Sequence, residues 1–512
     1  MKTFTKHIFL IVLFAVSVLH AGAQNSIQAV IPGDFADPSV IRKGSQYYAI
    51  GTSSEWAPHF PIYTSKNLKD WKQTGFVFDV KPEWTSSSFW APEYYYHNGT
   101  YYVYYTARRK SDNVSCIGVA TSKFPDRGFK DHGIIVAHGK EAIDAFIFND
   151  NGQLYMTYKA YGLDGRPIEI LGSKLSDDGL KLEGETFTMM KDNNGIGLEG
   201  QSILKKDDYY YLFYSVGNCC GAKCDYNVRI ARSKSFMGPY ENDPANPALQ
   251  ENADWKCSGH GTFVNSTDGK YYYLYHAYNK HTNVYTGRQG MLAELQWQGQ
   301  NQWPVFKTLS ADRPNAELHI SDRFAGSSPA KHWQWDFRNS TPVVKQHKKQ
   351  LHLSGIIKSD NPSGIVYTVR PAQLGYEIST TVTNQNASQK GLVVYGDANA
   401  SIGVSIAGTE IQFWMVKDNK RKVISKAMAG QPSAHIRQNA AVPVSLKLTV
   451  SDQLDCKAYW KQGSGEWQAL PTSNAVSVSF LPPWDRSPRA GLHFNGAAAD
   501  EAVFSHFDLR YL

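Results

Sequence analysis

The sequence predicts an all-β protein: a five-bladed β-propeller followed by a β-sandwich of jelly-roll type. Three observations predict it. A tyrosine-rich marker recurs five times, as "YYAIGTS" from Tyr47, "YYVYYTA" from Tyr101, "LYMTYKA" from Leu154, "YYLFYSV" from Tyr210 and "YYLYHAY" from Tyr272, its second residue falling at 48, 102, 155, 211 and 273. A Ser-Lys pair ends a β-like run after each of the first four copies, at 65/66, 122/123, 173/174 and 233/234. From about residue 320 the repeat is gone and a different alternating pattern begins.

In chain order, the first element is a leader. Lys2 and Lys6 precede an apolar run from Ile8 to Leu19, and Ala21-Gly22-Ala23 follows. That layout predicts a secretory signal over 1–23, cut before Gln24. A membrane span needs nearer twenty apolar residues, and no cysteine follows the run to carry a lipid. The expectation is a secreted or periplasmic protein with no membrane span. The remaining length exceeds one ordinary core, so at least two domains are expected. A net charge of +7 with no basic stripe excludes nucleic acid as a natural partner.

The first domain, 28–310, holds the repeat. Each unit reads as short strands separated by Gly, Asn and Asp turns, with no helical period between them. That pattern at this period is the mark of radially packed blades; a β-solenoid would want shorter, more regular repeats. Ahead of the five markers stand "FADPSVIRKGSQ", "FWAPEYYYHNGT", "AIDAFIFNDNGQ", "GLEGQSILKKDD" and "GHGTFVNSTDGK". Each carries a polar residue, then a short apolar strand, then a turn. The polar positions are Asp37, Glu93, Asp144, Glu199 and His260. Taken alone, Asp37-Pro38 is a turn opener. As one of five equivalent positions on strands that line a central channel, it belongs to an acidic ring, which is unstable without a use.

"FADPSV", "FWAPEYYYHNGTYYVYYTA", "CIGVATSK", "AIDAFIF", "LEGQSILKK" and "GHGTFV" together resemble glycoside hydrolase family 43, five-bladed enzymes that cleave α-L-arabinofuranosides and β-D-xylosides. The resemblance spans about 28–310. It implies Asp37 as general base, Glu199 as general acid, and Asp144 as a third carboxylate that raises the pKa of the acid and orients it. Inverting hydrolysis needs one ionised and one protonated carboxyl, roughly 6.5–9.5 Å apart so that a water fits. The resemblance also implies Trp90 as a wall of the sugar pocket, Arg288 as a sugar contact and Trp56 at the rim. His260 is expected deep on the axis, either beside a structural calcium or water, or as a hydrogen-bonded core histidine. No cofactor is required for the chemistry. The family's usual "IDP" is "IDA" here, with Ala145. Family 32, a related propeller group with an "NDPNG"-like motif, does not fit.

Six cysteines allow fifteen pairings. "NCCGAKC" lacks His-x-His partners for zinc and suggests a local disulfide. After a linker, "TLSADRPNAELHISDRFAGSS", residues 320–512 carry alternating strands such as "KQLHLSG", "GYEISTTVT" and "PVSLKLTVS", the pattern of a sandwich. This part resembles the concanavalin-type domain appended to many family 43 enzymes, which binds carbohydrate, braces one rim of the active site, or serves as a structural cap. The expected protein is a monomeric, exo-acting arabinofuranosidase or xylosidase with a carbohydrate substrate. "GNCCG" resembles endo-acting arabinanases, the alternative. A catalytically inactive glycan-binding propeller is the reading from outside enzymology.

Overall fold

In the computed structural model the described residues are 26–282, 284–311, 318–358, 360–430 and 442–512. The leader predicted over 1–23 lies outside them.

Five four-stranded antiparallel sheets follow one another along the chain. The first runs Ser39–Lys43, Gln46–Ile50, His59–Ser65, Lys72–Phe78, and the second begins with Thr85–His97 and Thr100–Arg109. The third begins with Ala142–Asp150 and Gln153–Ala160, and the fourth with Glu199–Lys206 and Tyr209–Val216. The fifth runs Trp255–Asn265, Tyr271–Asn279, Arg288–Trp297, Pro304–Leu309. Each marker is the second strand of its sheet. Those strands are buried almost without interruption, as in Tyr210–Val216, because a blade is packed on both faces by its neighbours. Tyr211 and Phe213 of blade four meet Tyr273 and Tyr275 of blade five in one such core. Full burial of side chains this size contributes about 1.5–3 kcal/mol each. The ring is drawn together where Val30 and Ile31 donate to the Gly290 carbonyl of blade five at 2.9 and 3.1 Å.

The inner strands share a device that aims side chains into the channel. Asp37, Ala91, Asp144 and Gly200 all have left-handed backbone, with φ of 50°, 42°, 60° and 58°. Each stands eleven residues ahead of the aligned tyrosine of its blade. His260, with φ of 40°, is the fifth member. Pairing slips beside four of these positions, for example between Ile143 and Phe146 and between Glu199 and Ser202. A bulge of this kind kinks the strand and redirects one side chain. The equivalence corrects the expected ring: the true counterparts of Asp37 in blades two and four are Ala91 and Gly200. Glu199 points inward from one residue earlier. Glu93 lies two residues further along and bonds Ser39 Oγ at 2.7 Å below the site.

Two larger antiparallel sheets form the sandwich. One is nine-stranded and includes Tyr376–Val382, Val444–Val450 and Ala502–Tyr511; the other is six-stranded and includes Gln389–Asp397 and Arg489–Asn495. Strand Tyr376–Val382 alternates buried and half-buried positions, as a strand with one covered face should. No α-helix occurs among the described residues, and no helix there is long and apolar enough to cross a membrane.

Trp56 departs from expectation. Trp56–Ala57 pairs with Trp335–Asp336 of the second domain in a two-stranded sheet. The Trp56 ring is 1% exposed, lies edge-on to Tyr395 and under the Arg489 guanidinium. It is a joint between the domains and not a rim residue. The backbone turns it away from the channel, toward sandwich residues that the local sequence does not reveal.

Candidate active site

One pocket at the channel mouth brings together Asp37, Trp90, Asp144, Glu199, His260 and Arg288. Its volume is about 120 Å³. Trp484 and Asp485 of the sandwich, and Cys219 and Cys220 of blade four, complete its wall.

Asp37 is held from every side. Arg288 Nη1 donates to its Oδ1 at 3.0 Å, and Thr52 Oγ1 donates to its Oδ2 at 2.6 Å. The Asp37 amide donates to His276 Nδ1 at 3.0 Å. Burial opposes its charge, but Arg288, with His276 and His260, overrides that and holds the carboxyl well below the usual range. Asp37 is therefore ionised. Arg288 is itself buried, and its second amino group donates to the Asp485 carbonyl at 3.0 Å. It faces Asp37 rather than solvent.

Glu199 has a different neighbour from the one expected. Lys159 Nζ lies 3.1 Å from its Oε2 and 3.2 Å from Glu141 Oε1. Tyr226 donates to Glu199 Oε1 at 2.9 Å. Burial favours the neutral acid, yet Lys159 and Tyr226 prevail and lower the Glu199 pKa. Asp144 behaves in the opposite way. Burial, aided by the negative charges of Glu199 and Asp37, raises it to about 6 against the pull of His260 and Lys159. Lys159 thus opposes the expected effect of Asp144 in the free site: the two carboxyls share one charged cluster, and the buried cation stabilises the ionised form of Glu199. Asp144 Oδ2 also accepts the Gly200 amide at 2.9 Å, tying it to the strand that carries Glu199.

His260 sits between the acids, its Nδ1 3.6 Å from Asp37 Oδ1 and 3.9 Å from Asp144 Oδ2. Among the described residues no group of three or more His, Cys, Asp or Glu is arranged to hold a metal ion. Calcium takes six to eight oxygens. Around His260 the described residues offer a ring nitrogen and two carboxylates, so the remaining oxygens of such a set would have to be water. "GHG" has a packing reason: a Cβ on Gly259 would come within 2.2 Å of the Tyr226 ring, and one on Gly200 within 2.8 Å of His260.

Trp90 lines the pocket and donates from Nε1 to Asp485 Oδ2 at 3.1 Å. The disulfides join Cys219 to Cys220 and Cys224 to Cys257, with Cys116 and Cys456 buried as free thiols. Lys159, Tyr226, His276, Thr52, Trp484 and Asp485 were not legible as site residues. A signal did exist for two of them. The sixth residue of the markers is Thr52, Thr106, Lys159, Ser215 and Ala277, so Lys159 is a cation in a column of small residues. Thr52, Thr106 and Ser215 each bond a ring position, Thr52 to Asp37, Thr106 to the Asp144 amide and Ser215 to the His260 amide.

Residues 27–304 match the profile of glycosyl hydrolases family 43. The chain belongs to that family. It is a family 43 glycoside hydrolase. The chain is 30% identical over 325 residues to the extracellular exo-α-(1→5)-L-arabinofuranosidase ArbA of Cellvibrio japonicus, covering 57% of this chain and 90% of that one. It is 28% identical over 499 residues to a xylosidase/arabinosidase of Butyrivibrio fibrisolvens, covering 85% and 92%. The crystal structure of xylan β-1,4-xylosidase from Bacillus halodurans superposes with a TM-score of 0.79 at 21% identity, over 95% of this chain and all of that one. At that identity the likeness speaks for the two-domain fold alone.

Proposed function

We propose that this family 43 enzyme is an exported, exo-acting, inverting hydrolase. It removes terminal α-L-arabinofuranosyl or β-D-xylosyl residues from plant cell-wall polysaccharides or their oligosaccharides. The observation that carries this reading is one pocket walled by Trp90 and by the sandwich residues Trp484 and Asp485, with the carboxyls of Asp37, Asp144 and Glu199 among its lining. An endo-acting arabinanase needs a cleft open at both ends, so the walled pocket favours the exo reading.

Asp37, kept ionised by Arg288, takes a proton from water as that water attacks the anomeric carbon. Glu199 gives its proton to the departing glycosidic oxygen. Glu199 must first gain that proton in competition with Lys159. A bound sugar dries the pocket, which favours the neutral acid, and the adjacent Asp144 is itself a carboxyl that burial raises. His260 and Arg288 bracket the base and keep its charge in place. Each step uses carboxyls and water, with no cofactor.

The deciding experiment is proton NMR of the first sugar released from nitrophenyl α-L-arabinofuranoside and β-D-xyloside. Appearance of the inverted anomer supports the reading. Retention, or no turnover of either glycoside, overturns it.

A further inference from the structure

Residues 217–226 join the second and third strands of blade four, Tyr209–Val216 and Asn227–Ser233. This loop is fastened at several points. Asp225 Oδ1 accepts the Asn218 amide at 2.7 Å, and the Asp225 amide donates to the Asn218 carbonyl at 3.2 Å. Cys224 is bonded to Cys257 on the strand that carries His260, and the Gly221 amide donates to the Tyr278 hydroxyl at 3.3 Å. Cys219 is nonetheless bonded to Cys220, its immediate neighbour. In the chain-entropy account, the stabilisation from a disulfide grows with the length of chain it encloses. This one encloses no residue between its ends. Fastening the loop does not explain it.

Its position does. Cys219 and Cys220 both line the catalytic pocket, as do Trp90 and Trp484, while most other lining groups are charged, among them the Asp37–Arg288 and Glu199–Lys159 pairs. Gly221, the next residue, lies alongside Trp484: a Cβ there would stand 3.6 Å from Trp484 Cδ1, an ordinary contact distance. Disulfide and indole are therefore neighbours in one apolar stretch of wall. Divalent sulfur is polarisable and largely apolar, a disulfide has no proton to donate, and the bond keeps the two side chains from swinging apart. A pentose is two-sided in the same way, with hydroxyls for the charged groups and C–H bonds for an apolar surface. A hydroxyl turned toward the sulfurs would leave water without gaining a strong partner, which costs free energy. We infer that the Cys219–Cys220 disulfide is a specificity-determining contact: the C–H face of the bound pentose packs on it, and a sugar that presents a hydroxyl there is rejected. The inference rests on the functional reading above and deepens it.

The test uses the full chain with two paired variants, both of which keep Cys224–Cys257. Cys219→Ser/Cys220→Ser keeps the size and puts hydroxyls on the wall. Cys219→Val/Cys220→Val restores an apolar surface with side chains that are stiff at χ1. Kinetics are run on nitrophenyl α-L-arabinofuranoside and β-D-xyloside, with calorimetry of free L-arabinose and D-xylose. The serine pair should raise KM on the preferred glycoside about tenfold, the scale of one lost apolar contact, with the loss on KM and not on kcat. The valine pair should recover most of it. An unchanged KM in the serine pair, or an equal loss in both pairs, overturns the contact and leaves the hydrolase reading intact. If either pair fails to fold, reduction of the parent with dithiothreitol takes its place. That reagent passes two electrons and two protons to the S–S bond and leaves as a cyclic disulfide, and mass spectrometry of alkylated peptides shows which bond has opened. A KM that rises as Cys219–Cys220 opens supports the inference, and a KM that stays constant overturns it. If the parent hydrolyses neither glycoside, the hydrolase reading fails and calorimetry decides the wall. Pentose binding weakened in the serine pair or on reduction then supports it; unaltered binding, or none in the parent, overturns it.

Discussion

Lys159 Nζ lies 3.1 Å from Glu199 Oε2 and also pairs with Glu141, so the carboxyl proposed to deliver a proton rests beside a buried cation. The acid is therefore poised lower than burial alone would set it.

Removing that cation should shift the pH profile in a defined direction. Lys159 stabilises charged Glu199, so Lys159→Met raises the Glu199 pKa. In the proposed mechanism activity needs protonated Glu199, and the alkaline limb of kcat/KM should move to higher pH. A profile unchanged in position, measured on a nitrophenyl pentoside, would show that Lys159 has no hold on the acid.

Asp37→Asn removes the proposed base and leaves Arg288 facing a neutral amide. The expected loss in kcat is roughly 10²–10⁴-fold, with stability down by about 3–5 kcal/mol for the broken buried pair. The stability due to Asp37 is present above its unfolded pKa of about 3.9 and drains as pH falls toward its much lower folded value. Urea titrations between pH 3 and 6 should show that slope in the parent and a shallower one in the variant.

Trp484 is 62% exposed yet lines the pocket. Trp484→Ala should change stability by no more than about 0.5 kcal/mol while raising KM several-fold. Equal KM in both proteins would remove the sandwich from substrate contact.

Trp56→Ala should do the reverse. Its ring is buried between the domains, so the loss is about 3–5 kcal/mol, seen in chemical denaturation. A selective rise in KM with undiminished stability would restore it to the rim.

Glu93 is a buried carboxyl that burial pushes up to about 8, despite bonds from Ser39 and the Ile147 and Tyr94 amides. A raised acid holds its proton in the folded state, and stability falls as pH rises from its unfolded value of about 4.3 to about 8. Glu93→Gln, which does not titrate, should gain in Tm relative to the parent as pH rises through that window. A constant difference from pH 5 to 9 would show Glu93 to be charged throughout.

Much of this was legible beforehand because propeller blades repeat. The tyrosine markers are second strands packed on both faces, so their burial is written as continuous aromatic runs. Asp37, Asp144 and Glu199 were visible through their fixed offset from those runs. Glu93 and Glu199 were assigned one or two positions away from the true ring members, because the eleven-residue register depends on a bulge whose backbone conformation no side chain announces.

The sequence by itself determined the five blades, the sandwich after them and the acids at the channel mouth, since each follows from local periodicity and short-range motif. Only the tertiary structure decided what surrounds those acids. Lys159 reaches Glu199 from the neighbouring blade, Trp484 and Asp485 reach the pocket from far beyond the last propeller strand, Pro304–Leu309, and Trp56 is drawn into the domain joint. Charge and desolvation act through space, so the protonation order of Glu199 and Asp144 depends on contacts that separation along the chain conceals.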